Sequence, residues 1–132
     1  MIIGLNPSTA DEKENDPTIV RCIKFAKSWG YGGVCVTNLF AYCATVPSDM
    51  KASNDPIGKE NDEWLYKLAN EAAIVVAAWG NDGSYLNRSE EILGKLLNLY
   101  CIKMNKSGEP AHPLYLKADL KPLPIRTSHC LE

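Results

Sequence analysis

Four groups of residues in this 132-residue chain carry side chains able to recognise or transform a polar ligand. The first is Asn6-Pro7-Ser8-Thr9, which sets an amide, two hydroxyls and backbone donors where an apolar run stops. That combination suits a polar or anionic group, although an ordinary capped turn uses the same residues. Behind it, Asp11, Glu12, Glu14 and Asp16 form an acidic stretch. Asp11 is the candidate base for activating water because it lies closest to Asn6, and Asp16 is best explained as a helix cap. One of these carboxylates can hold a magnesium ion through water, while most fit a solvated acidic loop. No metal is assigned to the site.

Asn38 is the second group, an amide among apolar residues at a strand end. Left unpaired there it would cost about 1–3 kcal/mol, so its partner is either neighbouring backbone or a nucleobase-like ligand that uses both its donor and its acceptor. The third is Trp79-Gly80, where the indole walls a pocket or packs in the core; Phe40, Tyr42 and Tyr115 offer stacking faces under the same alternative. The fourth is His112-Pro113, which follows a turn and precedes proline, a poor setting for a core residue and a good one for an imidazole that titrates near neutrality. His129 is read as a surface histidine. Asn61 and Asp62 are secondary candidates on a predicted helix.

Composition narrows the chemistry. A 45% hydrophobic chain of this length buries one core, so residues 1–130 are expected to form a single domain. Leu131-Glu132 reads as a cloning-site remnant. With 14 basic and 16 acidic residues the net charge is −2, which lacks the broad positive field of duplex-binding proteins. A local basic excess remains in residues 103–126, where Lys103, Lys106, Lys117, Lys121 and Arg126 face only Glu109 and Asp119. It is either a solvated lysine face or an anion site. Cys22, Cys35, Cys43, Cys101 and Cys130 are odd in number and lack zinc-site spacing, so they read as reduced thiols in a cytoplasmic protein, with no structural metal and no cofactor. No segment approaches a membrane span, and no secretory leader is evident.

The elements that must position these groups follow from periodicity and punctuation. Residues 1–5 form an apolar strand stopped by Asn6-Pro7. Buried strands seldom begin at a chain end, so native residues are expected before Met1. Asp16-Pro17 starts a helix whose apolar face holds Ile19, Ile23, Ala26 and the Trp29-Gly30 end, and Gly30, Gly32 and Gly33 supply its stop. Residues 34–40 are a second strand, residues 41–56 a long loop, and residues 58–72 a helix with Trp64, Leu65, Leu68 and Ala72 facing inward. Residues 73–79 form a buried strand. Ser84 or Asn87 caps the next helix, whose apolar stripe is Ile92, Leu93, Leu96, Leu97 and Tyr100, with Arg88, Glu90, Glu91 and Lys95 facing water. Residues 101–104 are the last strand, residues 105–110 a turn, and the tail is irregular. The order β-α-β-α-β-α-β predicts a three-layer α/β/α fold with a four-stranded, mostly parallel sheet. Ligands of such sheets sit beyond the carboxyl ends of the strands, where Asn6, Asn38, Trp79-Gly80 and His112 all fall.

The ordered segments Gly4-Leu5-Asn6-Pro7-Ser8-Thr9-Ala10-Asp11, Asp16-Pro17-Thr18, Trp29-Gly30-Tyr31-Gly32-Gly33, Asn38-Leu39-Phe40, Ala78-Trp79-Gly80 and His112-Pro113-Leu114-Tyr115-Leu116 resemble the domain of unknown function 1643 family over nearly the whole chain. More distantly, Gly4-Leu5-Asn6-Pro7, Asn38 and His112-Pro113 resemble three motifs of the uracil-DNA glycosylase superfamily: Gly-x-x-Pro after the first strand, an Asn after a middle strand, and a late His-Pro. That second resemblance implies a uracil-DNA-glycosylase-like fold. It also implies that Asn6 positions an attacking water, that Phe25 or a neighbouring aromatic stacks on a base, that Asn38 reads the base's polar edge, and that His112 stabilises developing negative charge. Ser8 stands where many of those enzymes have glycine, and Leu114-Tyr115 replaces the small residues that help their loop enter DNA. Duplex insertion is therefore not implied.

The expectation is a glycosylase-like hydrolase acting on a nucleobase, nucleoside or nucleotide-containing ligand, with single-stranded nucleic acid as the larger partner. The alternative is a non-catalytic nucleotide-binding or protein-interaction module. Neither reading sets an oligomeric state.

Overall fold

The structure, a computed structural model, describes residues 1–7, 17–43, 47–58, 60–96 and 98–125. Its elements run β1 (Ile2–Gly4), α1 (Pro17–Ser28), β2 (Val36–Asn38), α2 (Pro47–Lys51), α3 (Asn61–Glu71), β3 (Val75–Ala77), α4 (Arg88–Lys95), β4 (Leu99–Cys101) and β5 (Leu123–Pro124). A 3₁₀ segment, Asn81–Asn87, leads into α4, and a 3₁₀ turn, Pro113–Tyr115, follows His112.

The sheet has five strands in the order β2-β1-β3-β4-β5. The first four are parallel, with Gly4 opposite Asn38, Ile3 opposite Ala77, and Val75 opposite Leu99. β5 is antiparallel to β4, so the expected four-stranded sheet gains an edge strand from a tail expected to be irregular. A proline is tolerated there because an edge strand does not need every backbone donor. The pairing extends past Pro124 through the Ile125 amide, which donates to the Leu99 carbonyl at 2.9 Å.

Alternation along each strand sorts the core onto two faces. Ile3, Ala77 and Leu99 meet Met50 of α2, Leu65 of α3 and Ile92 of α4. Ile2 and Val76 meet Cys22 and Phe25 of α1, together with Leu116. Helices therefore cover both sides of the sheet, as alternating β and α elements require. Among the described residues, no helix is long and apolar enough to cross a membrane.

Several local expectations are corrected. The long loop after β2 contains α2, started by Pro47 at a position where its missing amide donor costs nothing and anchored by buried Met50. In α1 the buried stripe is Cys22, Phe25 and Ala26, while Ile23 is exposed, because the Phe25 ring packs on Trp29 at 5.4 Å and turns the helix to that face. Trp64 also points outward, since Leu65 holds the inward position on α3. α4 stops at Lys95, and the last parallel strand comes earlier than residues 101–104. Pairing of Leu99 with Val75 draws Tyr100 out of the expected helical stripe and into β4. Asn87 occupies the residue before α4, but in a left-handed conformation with no side-chain cap. Arg88, expected to face water, is completely buried.

Candidate functional site

The chain leaves β1 toward β2 on one side and returns to β3 on the other, which makes the carboxyl ends of β1 and β3 the crossover point of the sheet, the usual ligand position in open α/β folds. Asn6 lies just beyond β1. Its Nδ2 donates to the Tyr42 carbonyl at 3.3 Å and to the Pro7 carbonyl at 3.2 Å. The β1–β2 pairing continues beyond the strands, with the Leu39 amide on the Gly4 carbonyl and the Phe40 amide on the Leu5 carbonyl, both at 2.9 Å. Asn6 thus closes a zipper that joins the two exits.

Asn38 ends β2 with its side chain across Gly4, where a methyl group would meet Asn38 Oδ1 at 3.1 Å. Its carbonyl accepts from Asn61 Nδ2 at 2.9 Å, and the next carbonyl, Leu39, accepts from the same amide nitrogen at 3.0 Å. Asn61, a secondary candidate from sequence, is therefore a clamp on the β2 exit.

Arg88 supplies the rest of that clamp. Its Nε and Nη2 donate to the Leu39 carbonyl at 3.1 and 2.7 Å, Nη2 also reaches Asp62 Oδ1 at 2.7 Å, and Nη1 reaches Glu91 Oε1 at 2.6 Å. Burial works to lower the Arg88 pKa, but hydrogen bonds to Asp62 and Glu91 and their negative charge outweigh it and hold the group above its ordinary value. Arg88 was missed from sequence because it lies off the apolar stripe of its helix, with Glu90, Glu91 and Lys95 on the side read as facing water. Only the arrival of the β2 exit beneath it makes the position interior.

At the β3 exit, Trp79 is buried and Nε1 donates to Glu109 Oε1 at 2.9 Å. The other oxygen of that carboxylate accepts from buried Ser89 at 3.0 Å. Gly83 lies against the indole so closely that a Cβ there would fall 2.0 Å from Trp79 Cδ1. The Gly80 amide donates to the Pro110 carbonyl at 2.9 Å, and Asn81 Oδ1 accepts from Asn105 and Ser107 at 3.0 and 2.6 Å. These bonds bind residues 104–110 to the β3 exit and deliver His112 over Gly80, where a Cβ would lie 3.7 Å from the histidine Cβ. The His112 Nδ1 accepts from the Leu114 amide at 3.2 Å. With Nδ1 accepting, the neutral imidazole carries its proton on Nε2.

The sheet therefore brings Asn38, Asn6, Gly80 and His112 to one edge, across three adjacent strands. Pro7 shares that edge, half-buried beside Asn6. Three aromatic candidates do not offer open faces: Phe25, Phe40 and Trp79 are 1%, 0% and 1% exposed. Phe25 belongs to the α1 core. Phe40 is enclosed by Tyr85 and the Arg88 guanidinium, with centroid separations of 5.8 and 6.0 Å. Trp79 anchors Glu109. Tyr42, by contrast, is exposed. Ser8, Thr9, Asp11, Glu12, Glu14, Asp16, His129 and the side chain of Tyr115 lie outside the described residues, as do Cys130 and the last two residues.

A cavity of about 360 Å³ opens at the opposite edge of the sheet, lined by Met1, Trp29, Val34, Leu68, Ala72 and Ile74 among others. It contains none of the candidate residues. Its walls are mainly apolar, with Tyr31, Cys35 and Glu71 among them, whereas the crossover edge gathers amide and imidazole side chains from separate segments of the chain. Among the described residues, no group of three or more His, Cys, Asp or Glu side chains is arranged to hold a metal ion.

No curated protein and no solved structure matches the chain. A family model described as Protein of unknown function (DUF1643) matches residues 1–114. That span begins with β1 and ends just past His112, so it includes every described residue that forms the crossover edge. The chain belongs to the DUF1643 family.

Proposed function

We propose that this domain binds a nucleobase, nucleoside or nucleotide-containing ligand at the crossover edge and hydrolyses an N-glycosidic bond in it. The observation that carries the reading is the strand order β2-β1-β3, with Asn38 ending β2, Asn6 just beyond β1 and His112 held over Gly80 just beyond β3. The resemblance of their three motifs to the uracil-DNA glycosylase superfamily supports a fold and a chemistry of that kind.

In this reading the Asn6 amide is held by two backbone carbonyls, so that its oxygen orients a water for attack on the sugar carbon. The carbon–nitrogen bond breaks, the sugar takes hydroxide, and the base leaves with the bonding pair. His112 donates from Nε2–H to the oxygen on which negative charge builds, a preorganised interaction of the oxyanion-hole type. Asn38 reads the base's polar edge, and Asp11 takes the water's proton. Free or single-stranded substrates fit best, because a paired base must first be extruded at a cost of a few kcal/mol and a net charge of −2 supplies no overall attraction to a polyanionic duplex.

One observation favours the non-catalytic module instead. Asn6 Nδ2 is committed to joining two loops, a task that needs no chemistry. The test incubates wild type, Asn6→Ala and His112→Ala with uracil-, hypoxanthine- and alkylated-base oligonucleotides and with free nucleosides, and measures released base. Release by wild type that is lost in both variants is the expected result. Equal release by all three proteins rejects hydrolysis, and a thermal shift with nucleotides alone then favours the binding module.

A further inference from the structure

We infer that Glu109 is a positioning residue for His112. It was not singled out from sequence, where it reads as one acid in a lysine-rich turn, yet its carboxylate is the junction of three segments. Oε1 accepts from Trp79 at the β3 exit, and Oε2 accepts from Ser89 in the first turn of α4. Both donors belong to buried side chains. Glu109 itself ends the turn closed by the Met104–Pro110 bridge and by the Asn105 amide on the Glu109 carbonyl at 2.9 Å.

His112 follows three residues later, on backbone with few degrees of freedom. Upstream, Gly80 holds the Pro110 carbonyl, and the Ala111 amide donates to the Lys103 carbonyl at 2.8 Å. Downstream, Arg21 of α1 donates to the Leu116 carbonyl. The upstream backbone bonds set the height of the histidine above the sheet. The Glu109 side chain sets the lateral position of the turn's last residues, because it ties them to both the indole and α4, while Asn105 and Ser107 tie the earlier part of the turn to Asn81. Ser89 adjoins Arg88, which holds the β2 exit, so the same carboxylate keeps His112 in register with Asn38 across the sheet. Catalytic importance for this positioning rests on the proposed function; the positioning itself does not.

The experiment therefore uses no ligand. In a His129→Ala background, which leaves His112 as the single imidazole of the chain, ¹⁵N spectra of the ring report its tautomer, and the Trp79 indole N–H reports the bond to Glu109. The expected result is a locked Nε2–H tautomer in wild type and in Glu109→Gln, which keeps an acceptor for the indole. In Glu109→Ala the two ring nitrogens converge toward averaged shifts, and the indole proton exchanges at least tenfold faster. Glu109→Asp, one methylene shorter and unable to span both donors, gives an intermediate spectrum and serves where the alanine variant does not fold. Wild-type ring shifts in Glu109→Ala, or in Glu109→Asp if that variant alone folds, overturn the inference whatever happens to stability. Failure here leaves the base-release experiment untouched, and failure of base release leaves this result standing.

Discussion

Replacing Arg88 by alanine is the most informative single perturbation of the scaffold that carries the site. Its guanidinium is fully buried, but its two acidic partners are not: the Asp62 and Glu91 side chains are 33% and 42% exposed. Once the arginine is gone, both carboxylates can hydrate, so the large penalty of stranding a buried charge does not apply. Nor is the Leu39 carbonyl orphaned, because Asn61 still donates to it at 3.0 Å. What remains is the charge-assisted fork on that carbonyl, worth roughly 2 kcal/mol, and two methylenes of buried stem at about 0.8 kcal/mol each. The expected loss is about 3–4 kcal/mol, which for a domain of this size lowers Tm by about 10–15 °C. Urea denaturation followed by circular dichroism measures it, with Asp62→Asn as the second arm of a double-mutant cycle. Asp62→Asn should cost about 1 kcal/mol in wild type and almost nothing beside Arg88→Ala. A loss under about 1 kcal/mol in Arg88→Ala, or an Asp62→Asn cost that is unchanged in its background, refutes the assignment of Arg88 as the clamp on the β2 exit.

Two further outcomes follow from the packing. Gly83→Ala drives a methyl group into the Trp79 indole, where no rotamer of the new side chain relieves the contact; the expected loss is about 1–3 kcal/mol with a changed Trp79 emission spectrum, measured by fluorescence-detected denaturation. Burial pushes the Cys101 thiol above its ordinary value of 9.0. Its contribution is fully present below that value, and it falls as pH rises toward the folded-state pKa because the unfolded thiol ionises first. Urea midpoints measured from pH 7 to 10.5 should therefore drop more steeply above about pH 9 in wild type than in Cys101→Ala; parallel curves contradict the buried-thiol account.

The positions of the larger elements were legible because hydrophobic periodicity and punctuation act locally. A run of apolar residues halted at Asn6-Pro7, proline at the start of α1, and the uninterrupted apolar stretch ending at Trp79 each specify an element without help from distant chain. The errors fall where a distant partner decides. β5 is a two-residue strand with no pattern of its own, made a strand by β4. Tyr100 continues a helical stripe until pairing with β3 claims it. Phe25 and Trp79 carry the same aromatic chemistry whether they stack on a ligand or fill a core, and only the placement of α1 and of the turn bearing Glu109 distinguishes the two.

The order of amino acids alone determined that this is an α/β domain and that Asn6, Asn38 and His112 fall at element ends, since backbone propensity and side-chain period are properties of short segments. It also carried the motifs by which the chain is placed in its family. Tertiary structure decided which strands are neighbours, and therefore that those three residues share an edge. It alone made Arg88, Glu109 and Asn61 the residues that hold that edge together. Their role depends on which carbonyl, indole or hydroxyl lies within hydrogen-bonding reach, and those partners are between 20 and 49 positions away along the chain, beyond the range of any local pattern.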